Sequence, residues 1–159
     1  MPKLLTHLKA FWKSSGRKHL PWRNTTDPYK ILVSEMMLQQ TQVERVIPKY
    51  EFFIVEFPNA EALAAAPLSK VLRLWNGLGY NRRAKYLHQA AKEIMQKHAG
   101  KFPRKAEAIE ELPGVGHYTA RAVAAFAFNT PEVFIETNIR TAFIHYFFRR
   151  RRQVDSLIP

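Results

Sequence analysis

The chain has 159 residues, carries 25 Lys and Arg against 13 Asp and Glu for a net charge of +12, and contains no cysteine. That length suits one domain with a substantial core. The composition excludes a disulfide framework and a thiolate metal site, and no apolar run matches a bilayer span or a secretory signal. The excess positive charge asks for an anionic partner without choosing among DNA, RNA and an acidic surface. The expected placement is a soluble monomer, cytoplasmic or nucleoid-associated.

Leu4 to Trp12 has helix-like apolar spacing, which Ser14-Ser15-Gly16 interrupts. His19-Leu20-Pro21-Trp22-Arg23 reads as an irregular, anchored connection. Asp27-Pro28 marks a helix start, since Asp caps free amides and Pro fits the first turn. That helix carries Ile31, Leu32, Met36 and Leu38 and ends near Gln39. The next begins near Gln42, with Val43, Val46, Ile47, Tyr50, Phe53 and Ile54 on its apolar side. Pro58 breaks the pattern, Asn59 caps a short Ala-rich helix to about Ala65, and Pro67 opens another that ends near Trp75. After the turn Asn76-Gly77-Leu78-Gly79, a longer helix runs from about Asn81 to His98. Ala84, Leu87, Ala91, Ile94 and Met95 lie on its inner side, and Gly100 stops it. A short helix over Lys105–Glu111 is followed by the turn Leu112-Pro113-Gly114-Val115-Gly116 and a helix over His117–Phe128. Ala120, Val123, Ala124 and Ala127 of that helix permit close helix contact. A last helix starts near Glu136, with Ile139, Phe143, Tyr146 and Phe147 on a large apolar face and Arg149 to Arg152 as a positive tail. The expected class is all-α, with many short helices.

Several residues carry chemistry by type and position. The two glycines around Val115 let backbone amides converge where side chains would obstruct them, which suits a phosphate; Pro and Gly as plain helix punctuation is the competing reading. Glu35, in an apolar helix, becomes a proton donor if it faces a cleft, and is otherwise an exposed helix carboxylate. Gln39, Gln40 and Gln42 are polar contacts able to read a base edge or fill the space of a displaced base, or else surface residues. Glu136 follows the apolar run Val133-Phe134-Ile135 and either caps a helix or joins Glu35, one acid protonating a departing base while the other stabilises positive charge on the sugar. Asn138 can orient that carboxylate or the DNA backbone. Tyr80 and Tyr118 are candidates for stacking or phosphate contact, with packing as the alternative. Arg82, Arg83 and Lys85 can track a phosphate backbone or form a solvated helix face. Trp75 reads as core. The six histidines have no metal-ligand spacing, so no metal is assigned to side chains.

Three stretches in order carry a family resemblance: Ser34-Glu35-Met36-Met37-Leu38-Gln39-Gln40-Thr41-Gln42-Val43, Leu74-Trp75-Asn76-Gly77-Leu78-Gly79-Tyr80, and Leu112-Pro113-Gly114-Val115-Gly116-His117-Tyr118-Thr119-Ala120. With Leu20-Pro21-Trp22-Arg23, and extending to about Phe143, the chain resembles the helix-hairpin-helix DNA glycosylase superfamily, especially adenine DNA glycosylases acting on adenine opposite oxidised guanine. The resemblance implies a two-lobed helical enzyme that turns the target base out of duplex DNA. Residues 20–134 would form the main lobe with the hairpin at 112–117, and 1–19 with 135–159 a partial second lobe of a truncated unit. It implies that Glu35 protonates the leaving base, that Gln40 inserts near the displaced base, and that Tyr80 wedges beside the opposing guanine. Gln39, Thr41, Gln42 and Arg82 join them as DNA contacts. Pro113, Gly114, Val115, Gly116 and His117 would hold phosphate, often with a monovalent cation on the hairpin backbone. Tyr118 stands where bifunctional relatives carry a Schiff-base lysine, and a phenol forms no imine, so base removal without lyase chemistry is implied.

Glu136 departs from the family, which ordinarily has aspartate there. One added methylene shifts the carboxylate, and misplacement by about 1 Å costs on the order of 100-fold. The four-cysteine iron–sulfur motif and the oxidised-guanine reading domain of typical adenine glycosylases have no counterpart, so no cofactor is assigned. The leading expected function is removal of adenine mispaired with 8-oxoguanine or guanine. The alternatives are a thymine or uracil mismatch glycosylase and a catalytically impaired DNA-binding fragment.

Overall fold

A computed structural model describes residues 2–148, which contain nine α-helices and one 3-10 turn. The positive tail over Arg149 to Arg152 lies outside the described residues. In chain order the helices are α1 (Pro2–Ser15), α2 (Pro28–Leu38), α3 (Val43–Glu56), α4 (Ala60–Ala65), α5 (Leu68–Trp75), α6 (Arg82–Lys97), α7 (Ala106–Glu110), α8 (His117–Phe128) and α9 (Thr137–Phe147). The 3-10 turn is Pro21–Arg23, between α1 and α2. The all-α class and the expected order of helices hold.

The local chemistry explains the boundaries. Asp27 accepts hydrogen bonds from the amides of Tyr29 (2.9 Å) and Lys30 (3.4 Å), with Pro28 at the first helical position. Asn59 accepts from the amide of Ala62 at 2.8 Å and starts α4. Helix α6 ends as the Gly100 amide, at φ +76°, donates to Ile94 O at 3.0 Å.

α2 is the central helix. Ile31, Leu32, Val33, Met36 and Met37 are all buried, and it packs on α3, α6, α8 and the 3-10 turn. Ser34, also buried, donates its hydroxyl to Ile31 O at 2.7 Å, so its polar atom is satisfied. Ala120, Val123 and Ala124 are fully buried on α8, and their small side chains allow α8 to lie close on α2. Helices α4 and α5 pack on α6, and α7 packs on α8. Phe53 meets Phe57 and Trp75 edge-on at 4.9 and 6.0 Å between ring centroids, which joins α3 to α5.

The buried core runs from Leu20 to Ala124. The apolar residues of α1 and α9 fall outside it: Leu5, Leu8, Phe11 and Trp12, and likewise Ile139, Phe143 and Tyr146, are each about half exposed or more. On the last helix the expected apolar residues Ile139, Phe143 and Tyr146 are thus only partly covered. Arg23 stacks on Trp12 at 4.7 Å, which ties the end of α1 to the 3-10 turn. Among the described residues no helix is long and apolar enough to cross a membrane.

Candidate functional site

Glu35 is the half-buried position in the otherwise buried run of α2. α8, packed alongside, brings Tyr118 near it. After α8 the chain reverses at Asn129, which adopts φ +55°. The following segment is then pinned back onto α8. Glu132 lies 3.6 Å from Arg121 Nε, and Phe134 sits edge-on to both Tyr118 (5.5 Å) and Phe126 (5.9 Å). These contacts deliver Glu136 to the same place. There it caps α9, its Oε2 accepting from the Asn138 amide at 2.9 Å.

The electrostatics record the convergence. Burial, and then the neighbouring Glu136 carboxylate, push the Glu35 carboxyl up to about 7. Burial, followed by Glu35 and Glu136, pushes the Tyr118 phenol up to about 12. Glu35, Tyr118 and Glu136 thus share one environment assembled from α2, α8 and the start of α9. Asn138 takes part through its backbone amide, and its side chain is exposed. Glu136 is a helix cap, and its charge is near enough to Glu35 to raise that carboxyl.

The glutamine stretch forms a bend between α2 and α3. Gln39 is partly buried, Gln40 and Gln42 are exposed, and Gln40 adopts φ +54°. Facing it is the Asn76–Tyr80 turn, where Tyr80 adopts φ +47° and is 65% exposed. Two non-glycine residues in the left-handed region store backbone strain at neighbouring points. Between bend and turn lies a cleft of about 720 Å³ lined by Gln40, Thr41, Gln42, Arg45, Asn76 and Tyr80 among others. A second, of about 710 Å³, runs from Gln39, Gln40 and Tyr80 past Arg82 and Tyr86 to Gly114, and so joins these residues to the hairpin. Arg82 is exposed at its edge.

In the hairpin the Val115 amide closes the turn on Leu112 O at 3.1 Å, with Leu112 and Val115 buried and Gly114 and Gly116 exposed. Gly116 is the N-cap of α8 and has no side chain, so the first amides of that helix lie open for an anion. Pro113 is partly buried beside them. The His117 ring turns aside, with Nδ1 2.6 Å from Arg121 Nη1 and 3.3 Å from Glu110 Oε2. Any cation at the hairpin would rely on backbone carbonyls. Those of Ile109, Leu112 and Gly116 already accept from Leu112, Val115 and Ala120, so an ion would share them, and no chemical step is routed through one. Among the described residues no group of three or more His, Asp or Glu could hold a metal. The absence of cysteine from the sequence leaves no thiolate for an iron–sulfur cluster.

Arg83 corrects one expectation. It does not track a phosphate backbone: it is 7% exposed, and its guanidinium binds the chain's own carbonyls. The signal was available, because the inner stripe of α6 at Leu87, Ala91 and Ile94 reaches position 83 one turn earlier. Arg45, Asn76 and Tyr86 were not singled out in the sequence, and only the packing of bend, turn and hairpin places them at the clefts.

Comparison with known proteins agrees with this arrangement. The model of the HhH-GPD superfamily base excision DNA repair protein family matches residues 33–157. An adenine DNA glycosylase of Buchnera aphidicola subsp. Baizongia pistaciae is 46% identical over 132 residues, covering 83% of this chain and 38% of the relative. A thymine-DNA glycosylase of Aeropyrum pernix is 39% identical over 137 residues, covering 86% of this chain and 61% of the relative. The solved structure of a thermostable thymine-DNA glycosylase superposes with a TM-score of 0.83 at 31% identity, covering 89% of this chain and 65% of that one. The chain therefore spans less than two thirds of these curated relatives, 38% of the one and 61% of the other. A match over most of the sequence, on a fold that brings its three motif stretches around one groove, makes this chain a member of the HhH-GPD superfamily of base excision DNA repair proteins.

Proposed function

We propose that the chain is a monofunctional DNA N-glycosylase that removes adenine mispaired with 8-oxoguanine or guanine. What carries the reading is the burial of the Glu35 carboxyl near the charge of Glu136, which pushes it up to about 7. Protonated Glu35 gives its proton to the departing base as the N-glycosidic bond breaks and the bonding electrons leave with the base. The Glu136 carboxylate stabilises the positive charge that develops on the sugar, and water adds to that carbon and gives a proton to the Glu35 carboxylate, which restores the acid. Tyr118, a phenol, offers no amine for an imine, so the product is an abasic site with an intact strand. The hairpin amides and Arg82 support phosphate attachment, and Gln40 and Tyr80 support insertion at the extruded base.

A panel of duplexes tests this under single turnover, with alkali used to cleave abasic sites. Product from adenine opposite 8-oxoguanine supports the reading, and no product from any duplex by a folded protein overturns it. Release of thymine or uracil from a mismatch with guanine would favour the second reading, which the likeness to thymine-DNA glycosylases supports. Salt-dependent DNA binding without product would identify an impaired binding fragment.

Glu136 has its own expected signature. Since its charge helps to raise Glu35, Glu136→Gln moves the alkaline limb of the rate profile to lower pH. Loss of the charge also slows base release by about 10²–10³-fold. Single-turnover rates measured from about pH 5 to pH 9 read both effects. An unmoved limb would separate the two carboxylates.

A further inference from the structure

Arg83 stands in the first turn of α6, where a cation opposes the helix dipole, and its Nε is buried without a partner. These costs are offset by an unusual set of acceptors. Nη1 donates to Met36 O (2.9 Å) and Met37 O (3.0 Å) in the last turn of α2, and to Gln39 O. Nη2 donates to Thr41 Oγ1 (3.0 Å), Leu78 O (3.1 Å) and Gly79 O (3.1 Å). The first group of acceptors, with Thr41, brackets Gln40, and the second ends immediately before Tyr80. The guanidinium carbon lies 5.5 Å from the Tyr80 ring centroid and 5.5 Å from that of Trp75. Trp75 in turn donates from Nε1 to Gly79 O at 3.2 Å.

We infer that Arg83 is a positioning residue that locks the Gln39–Thr41 bend to the Leu78–Tyr80 turn, so that Gln40 and Tyr80 meet a ligand as one preset unit. Both residues sit in the left-handed region, and each needs its surroundings to hold it there. One planar fork with donors on two nitrogens can bind both segments at once; a lysine ammonium is a point donor and cannot span them. Preset placement matters because ordering two loops on binding would weaken recognition. The DNA half of the inference rests on the proposed function, and the coupling of the two segments does not.

Hydrogen exchange read by mass spectrometry tests the coupling without DNA. In Arg83→Lys and Arg83→Met, peptides covering residues 36–42 and 76–82 are expected to exchange about tenfold faster together, with α8 unchanged. Should Arg83→Met fail to fold, Arg83→Lys and Arg83→Gln make the same comparison; Thr41→Val does not, because the Thr41 hydroxyl also donates to Leu78 O at 3.4 Å and so links the two segments directly. Acceleration in one segment alone, or in neither, overturns the inference. The DNA half is read by fluorescence anisotropy with a duplex carrying a tetrahydrofuran abasic analogue opposite guanine. Tyr80→Ala is expected to weaken binding about tenfold in the native background and less than about threefold in Arg83→Lys, because the lysine variant has already released the ring. Multiplicative losses overturn it. If the native chain binds no duplex, the proposed function fails while the exchange result still decides the role of Arg83.

Discussion

Glu35→Gln is expected to lose base release by about 10²–10⁴-fold, the usual contribution of a positioned general acid, while DNA binding is largely kept. The same substitution should make the protein more stable at alkaline pH. The native carboxyl is raised from its ordinary 4.5 to about 7, so folding favours its protonated form. Below about pH 4.5 the group is neutral in both states and carries no penalty. As pH rises through that value toward 7, the unfolded chain ionises freely and the folded one does not, so stability falls across this window and levels off above it. The span of about 2.5 pH units caps the effect at about 3 kcal/mol. Thermal melts at about pH 8 should therefore place the Gln variant on the order of 5 °C above the native protein, with the gap closing near pH 4. Equal melting temperatures at both pH values would contradict a desolvated acid, and equal base release would remove Glu35 from the chemistry.

The two hairpin glycines should respond very differently to alanine. At Gly114 a Cβ would meet Tyr86 Cβ at 2.5 Å and its Cδ2 at 2.7 Å, on a backbone at φ +75°. Overpacking and the left-handed conformation together should cost about 2–5 kcal/mol, and Tyr86→Ala, which keeps the Cβ that the new methyl meets at 2.5 Å, should restore only the part due to the ring. At Gly116 a Cβ meets nothing within 4 Å and φ is an ordinary −94°. Gly116→Ala should melt close to the native protein. If the amides at the head of α8 hold phosphate, that new methyl stands where the anion approaches, and affinity for duplex DNA should still fall about tenfold. Denaturant titration and anisotropy on the two variants separate the structural glycine from the access glycine. Equal losses of stability would show that the distinction is misplaced.

Much of the architecture was legible because its signals are local. Asp27-Pro28, Asn59, Gly100 and the apolar spacing of α2, α3, α6 and α8 act within one or two helical turns, so each boundary is written where it operates. The partial exposure of α9's apolar residues was not legible, because spacing shows that a face is apolar and not what lies against it. Arg83 was misread for a related reason. Among Arg82, Arg83 and Lys85 the residue type pointed to solvent, whereas the helix spacing pointed inward and four of the acceptors, at positions 36 to 41, lie more than forty residues away.

Composition and motif order alone determined an all-α, basic, cysteine-free chain with a Glu35 helix, a glutamine stretch, a glycine turn before Tyr80 and a hairpin at Leu112–Gly116. Only the tertiary structure decided that Glu136 comes near enough for its charge to raise Glu35. That approach depends on Phe134 and Glu132 folding the segment after Asn129 back onto α8. Only it decided, too, what the inward-facing Arg83 binds and which glycine is crowded by Tyr86. Helix periodicity is a property of neighbours in sequence, but burial, a raised carboxyl pKa and a shared guanidinium arise from residues far apart in the chain that only the folded structure brings together.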